Sequence, residues 1–275
     1  VRFHLLGAFE IVTDDGRIHS LGAPKVCRVL ALLLMRPGQV VSVNALVEEV
    51  WGEEAPRSAQ SVLQTYVYQL RRTFERAVPA PAGRTLIETR PPGYRIQADA
   101  EDIDAKVFER LVGEGRTLIG QDRPDAASAR LQRALDLWRG PVLANVAPGS
   151  VLTRYITHLE ELRIRAIQLR VESGERLGHH REMIPELRAL VTAYPLHEWF
   201  HARLIRALSR SGRRAEALHA YRELCSTLDR ELGSEPGAEL RRLEQELLGG
   251  RSARISPRGP AGRTGRSPQH RGDLS

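Results

Sequence analysis

The stretch from Ser58 to Glu75 constrains this chain most, because its two sides have opposite chemistry. Apolar residues fall at Ala59, Val62, Leu63, Tyr66, Val67, Leu70 and Phe74, the spacing of a helix with one buried face. The other side carries Gln60, Ser61, Gln64, Thr65, Tyr68, Arg71 and Arg72, with no acidic residue before Glu75. A solvated helix face normally mixes Glu with Lys. This one offers amides, hydroxyls and guanidinium groups, which suit base edges and phosphates. In isolation, the same face also fits an ordinary exposed polar helix.

The flanking elements narrow the choice. Phe3–Val12 reads as one strand, Asp14-Asp15-Gly16 as a turn, and Arg17–Leu21 as a short strand pairing back. After Gly22-Ala23-Pro24, a helix carries Val26, Val29, Leu30, Leu32, Leu33 and Leu34 and stops at Arg36-Pro37-Gly38. Val40-Val41 is a short extended link, and Ser42 is the expected N-cap of a helix running through Leu46 and Val50 to Gly52. Beyond the long helix, Thr85–Arg90 and Tyr94–Ile96 flank Pro91-Pro92-Gly93, a hairpin that brings Arg90 to its tip. Helix, helix, polar-faced helix and hairpin in that order predict a winged helix-turn-helix over residues 1–97.

Residues 98–248 read differently. Asp99–Asp104 is an acidic, polar junction, and the chain beyond it is almost entirely helical, broken at Gly140-Pro141, Pro148-Gly149, Gly178, Pro195 and Gly212. The segment Ala202–Tyr221 has the look of a tetratricopeptide unit, with small residues Ala207, Ala215 and Ala220 and a turn at Gly212; a looser echo lies at Asp125–Leu135. The expected fold is therefore mainly α with small β elements, a winged helix-turn-helix followed by an all-α tetratricopeptide-like domain. Stacked helix pairs leave a surface suited to protein docking, and equally to a scaffold that only dimerises or braces its neighbour. From 249 to 275 the chain has six Arg, six Gly and three Pro with little apolar content, a disordered basic tail by composition.

Charge follows the same division. Residues 1–97 carry 12 Lys/Arg against 9 Asp/Glu, residues 98–248 carry 23 against 24, and the tail 6 against 1. The ends favour a polyanion and the middle does not. Two distant cysteines, Cys27 and Cys225, fit a reducing compartment. No signal-peptide core opens the chain and no run of 18 apolar residues occurs, so a soluble cytoplasmic protein with no membrane contact is expected. There is no Walker A loop, Rossmann glycine pattern or paired-cysteine metal site. His179 and His180 are adjacent, so their rings diverge. Neither an enzyme, a cofactor nor a metal is expected.

The opening Phe3–Ile11, the run Pro24–Leu34, Leu46–Gly52, the helix segment Leu63–Arg72 and Pro92-Gly93-Tyr94 together resemble the streptomyces antibiotic regulatory protein family. That resemblance covers about residues 1–248. It implies an OmpR-type winged helix joined to a bacterial transcriptional activation domain, in an actinobacterial activator of a secondary-metabolite gene cluster. It further implies promoter DNA with direct repeats, a second protomer on that DNA, and RNA polymerase with its sigma factor as partners, on the nucleoid. By the same resemblance, Ser61, Gln64, Thr65 and Tyr68 face the major groove. Lys25, Arg57, Arg71, Arg72 and Arg90 are the expected phosphate or wing contacts. The competing reading is a helical adaptor whose winged domain serves protein contact.

Overall fold

The computed structural model describes residues 1–19, 21–77 and 86–249. Ser20 and Thr85, each placed in an expected strand, lie outside the described residues, as does the expected tail disorder from residue 250 onward. The chain forms two compact units, Val1–His179 and one from His180 onward.

The first unit opens on a three-stranded antiparallel sheet of β1 (Arg2–His4), β2 (Glu10–Val12) and β3 (Ile18–His19), in the order β1-β2-β3. The single strand expected over Phe3–Val12 is thus two strands that fold back on each other. The cause lies far along the chain. Leu5 and Leu6 are fully buried, and their carbonyls accept from Leu143 N and Arg139 N at 2.9 and 2.7 Å. Their own N–H groups donate to the Asp104 carboxylate at 2.7 and 3.1 Å.

Helix α1 (Pro24–Met35) starts with Pro at its first position, where the missing N–H costs nothing. The expected link at Val40-Val41 is a strand, β4 (Val40–Ser42), which pairs with the wing. Ser42 does cap α2 (Val43–Trp51), accepting from Ala45 N at 3.2 Å. A 3-10 turn at Gly52–Glu54 leads to α3 (Ala59–Ala77). Its residues Leu63, Val67, Leu70 and Phe74 are all buried, each contributing about 1.5–3 kcal/mol through loss of apolar surface. The wing is β5 (Ile87–Arg90) and β6 (Gly93–Ile96), in a sheet ordered β4-β6-β5. Gly93 has to be glycine: a Cβ there would lie 1.8 Å from the Val41 carbonyl oxygen.

Helices α4 (Asp104–Gly120), α5 (Pro124–Leu135) and α6 (Ser150–Arg176) complete this unit, α5 packing on both its neighbours. One apolar cluster runs from Phe3 through α1, α3, α4 and α5 to Leu169 of α6. The expected acidic junction is only partly solvated. Asp104 is buried, with Arg139 Nη2 2.8 Å from its carboxylate. Burial pushes its carboxyl up, against the pull of Leu5 N–H, Leu6 N–H and Arg139.

The second unit contains α7 (Ile184–Ala193), α8 (Glu198–Arg210), α9 (Arg214–Leu232) and α10 (Ala238–Gly249). Gly212, at φ +77°, makes the turn between α8 and α9. The small residues at their contact differ from expectation. Ala207 and Ala217 are buried, whereas Ala215 is exposed and Ala220 half-buried. The inward face of α9 is Ala217, Tyr221, Leu224 and Leu228, and position 215 falls off it. The same spacing recurs in α5 as Ala127, Leu131 and Ala134, which is the structural content of the echo in the sequence.

Candidate nucleic-acid interface

The apolar face of α3 fixes its rotation, and with it the direction of the outward residues. Ser61, Gln64, Thr65 and Tyr68 are all exposed, Tyr68 at 61%. Ser61, Gln64 and Tyr68 stand at i, i+3 and i+7, one stripe along the helix, with Thr65 beside Gln64 and Arg72 one turn beyond Tyr68. The Thr65 hydroxyl donates to the Ser61 carbonyl at 3.2 Å. That leaves its lone pairs as acceptors. Gln64 and Tyr68 make no hydrogen bond to any described residue, so their polar ends are available.

The expected cationic residues divide into groups with different commitments. Arg57 is exposed just ahead of α3. Arg72 is exposed and pairs loosely with Glu75 at 3.4 Å, a contact of little strength in water. Lys25, on the first turn of α1, lies over the Trp51 ring at 5.1 Å, and Trp51 stacks on Tyr66 of α3 at 5.9 Å. Lys25 is thereby tied to α3 through two aromatic rings. Arg71 turns away from the stripe: its Nε donates to the Ile87 carbonyl and its Nη2 to Thr89 Oγ1, both at 2.9 Å.

At the wing, Arg90 is exposed and its Nε lies 3.0 Å from Glu88. The same carboxylate takes Arg95 Nη2 at 2.7 Å and accepts from Gln97 Nε2. Arg95 first, and Arg90 after it, holds the Glu88 carboxyl below the usual carboxylate range. The wing therefore carries two guanidinium groups around one carboxylate, a net positive surface partly quenched from within.

Sequence reasoning passes over Glu88, Arg95 and Arg76. Arg95 and Glu88 face each other across the hairpin, a pairing legible from the register once the turn is placed. Arg76 lies one turn past Arg72, beyond where the helix was expected to stop. With Tyr68, Gln69 and Arg72 it lines a hollow against Gly22 and Ala23 at the start of α1. Among the described residues, no group of three or more His, Cys, Asp or Glu is arranged to hold a metal ion. No helix there is long and apolar enough to cross a membrane.

A winged helix presenting a helix face free of acidic residues as far as Glu75 beside a cationic hairpin, followed by tetratricopeptide-like helices, defines a DNA-binding transcriptional regulator. Residues 20–96 match the family of the C-terminal domain of transcriptional regulatory proteins, and residues 103–248 match the bacterial transcriptional activator domain. The chain is 41% identical over 230 residues to the regulatory protein DnrI of Streptomyces peucetius, covering 82% of this chain and 84% of that one. It is 35% identical over 252 residues to the transcriptional regulator RedD of Streptomyces coelicolor, covering 90% and 70%. The solved structure of Mycobacterium tuberculosis EmbR in complex with a low affinity phosphopeptide superposes with a TM-score of 0.81 at 32% identity. The match covers 90% of this chain and 65% of that longer one. The chain belongs to the bacterial transcriptional activator domain family. It is a transcriptional activator of the streptomyces antibiotic regulatory protein type.

Proposed function

We propose that this activator reads promoter DNA through the Ser61, Gln64, Thr65 and Tyr68 stripe in the major groove. Arg57, Arg72, Lys25 and the wing residue Arg90 hold the flanking phosphates. The observation that carries this reading is the acid-free stripe itself, exposed along α3 with the polar ends of Gln64 and Tyr68 unspent and the Thr65 hydroxyl left as an acceptor. An amide such as that of Gln64 can bond an adenine edge bidentately, and hydroxyls accept from or donate to several bases. Guanidinium groups on either side supply affinity that is independent of sequence.

On this reading two protomers sit on direct repeats, and the helices beyond residue 103 engage RNA polymerase holoenzyme, including its sigma factor. The protein then works in the cytoplasm, on the nucleoid. Selection of bound duplexes from a random library by the full chain tests the first step. Enrichment of two similarly oriented half-sites supports the direct-repeat arrangement. Folded protein that enriches no sequence would instead favour a helical adaptor using its winged domain for protein contact.

A further inference from the structure

Arg71 belongs to the cationic face of α3 by sequence, yet its guanidinium is spent on the wing. β5 is the outer strand of its sheet, hydrogen-bonded to β6 alone. Gln97 N donates to the Leu86 carbonyl at 2.8 Å. Along an antiparallel ladder, that makes 86/97, 88/95 and 90/93 the bonded pairs and leaves the Ile87 carbonyl on the open edge. Arg71 Nε meets that carbonyl, while Nη2 meets the Thr89 hydroxyl two residues on. One planar fork therefore clasps the free edge of the wing to the recognition helix. A lysine has no counterpart to this geometry, being a point charge on a flexible stem.

We propose that Arg71 is a positioning residue for DNA recognition: by holding β5 against α3 it sets where Arg90 stands relative to the groove-reading stripe. The inference rests on the proposed DNA-reading role of α3 and assigns Arg71 a different part in it. Arg90 directly follows Thr89 in the chain. Arg71, Glu75, Glu88, Thr89 and Arg90 line one shallow hollow between α3 and β5. If the brace loosens, the tip guanidinium loses its fixed distance from Gln64 and Tyr68. Affinity then falls through Arg90 rather than through the charge of Arg71.

A double-mutant cycle in the full chain reads this directly, on a duplex selected by the unaltered protein. Arg71→Met and Arg71→Lys should each weaken binding about fivefold, and Arg90→Ala by a similar factor, the scale of coupled neighbours. Added to Arg90→Ala, Arg71→Met should cost less than about twofold and leave the salt dependence where Arg90→Ala put it. A direct phosphate contact would instead lower the salt slope by a further ~0.9 and let lysine substitute; either result overturns the brace. Thr89→Val removes one arm while keeping every charge. It should weaken binding in the unaltered background and not in Arg90→Ala, which keeps the test decisive if Arg71→Met folds poorly. In the free chain, the ladder amides of β5 should exchange faster in Arg71→Met and Thr89→Val. Unchanged protection overturns the brace with no duplex present, whereas an unaltered chain that binds no duplex sinks the DNA-reading role instead.

Discussion

The Glu49 carboxylate, on α2, caps α6 from a hundred residues away. It accepts from Gly149 N at 2.5 Å and from Leu152 N at 2.8 Å. The side chain is 1% exposed, and the unpaired N–H groups of a helix start supply the positive potential that it faces. Beside it, Glu48 accepts from the Ser150 hydroxyl at 2.8 Å. Gly149 allows this close approach, since a Cβ there would fall 2.1 Å from the Glu49 carbonyl oxygen.

Glu49→Gln should therefore destabilise the first unit by about 2–4 kcal/mol, because the amide offers one acceptor where two buried donors wait. Gly149→Ala should do likewise by steric clash. Denaturant titration monitored at Trp51 and Trp138 checks both, and a midpoint unchanged in Glu49→Gln would remove the cap from the account.

Gln64→Ala should lower affinity for a cognate duplex more than for a scrambled one, since its amide would be lost from a base edge. Arg72→Ala should weaken both about equally and reduce the salt slope by about 0.9. Binding titrations at fixed salt separate the two. Equal losses on both duplexes for Gln64→Ala would take that residue out of the groove.

Glu88→Gln should strengthen binding to any duplex by roughly twofold to fivefold at low salt, because Arg90 and Arg95 would no longer share a carboxylate next to phosphates. Mild acidification should not imitate the substitution. The Glu88 carboxyl is held below the usual range, so it stays ionised down to pH values where ordinary carboxylates have taken up protons. Affinity measured on both proteins from pH 7 to pH 4, where an ordinary glutamate is largely protonated, decides the point.

His201 gives the second unit its own pH response. It is buried, its Nε2 donates to the Pro195 carbonyl at 3.0 Å, and desolvation lowers its pKa despite that bond. The unfolded chain binds the proton more readily. Stability is therefore fully present above the unfolded value of about 6.5 and is lost as pH falls through the lowered folded one. His201→Gln, which retains a donor for Pro195, should flatten that decline below neutrality. Thermal melts from pH 7.5 to pH 5 that keep the same slope in both proteins would locate the response elsewhere.

Elements fixed by local periodicity were legible. Leu63, Val67, Leu70 and Phe74 recur at helical spacing, and burying them leaves Ser61, Gln64, Thr65 and Tyr68 no other direction to face. The wing turn was equally plain from Pro91-Pro92-Gly93. What escaped depends on partners distant in sequence. Glu49 sits three residues after Leu46, on the buried side of α2, but a carboxylate there has no meaning until Gly149 and Leu152 arrive beside it. Leu5 and Leu6 read as the middle of a strand because nothing nearby reveals Asp104, Arg139 or Leu143. Arg71 looked like one more surface cation, since no local rule aims its fork at a strand edge.

The Asp104 carboxylate gathers Leu5, Leu6 and Arg139 into one node, and this bears on how such regulators can acquire new targets. A recombination break near residue 97 would pair each side of that node, and of the Glu49 cap, with a stranger's residues. Inheritance of a new specificity by swapping whole DNA-binding segments therefore demands matched changes at several buried polar positions. On the proposed reading of α3, single substitutions along its outward stripe carry no such requirement, so divergence by point change at Ser61, Gln64, Thr65 and Tyr68 is the accessible route.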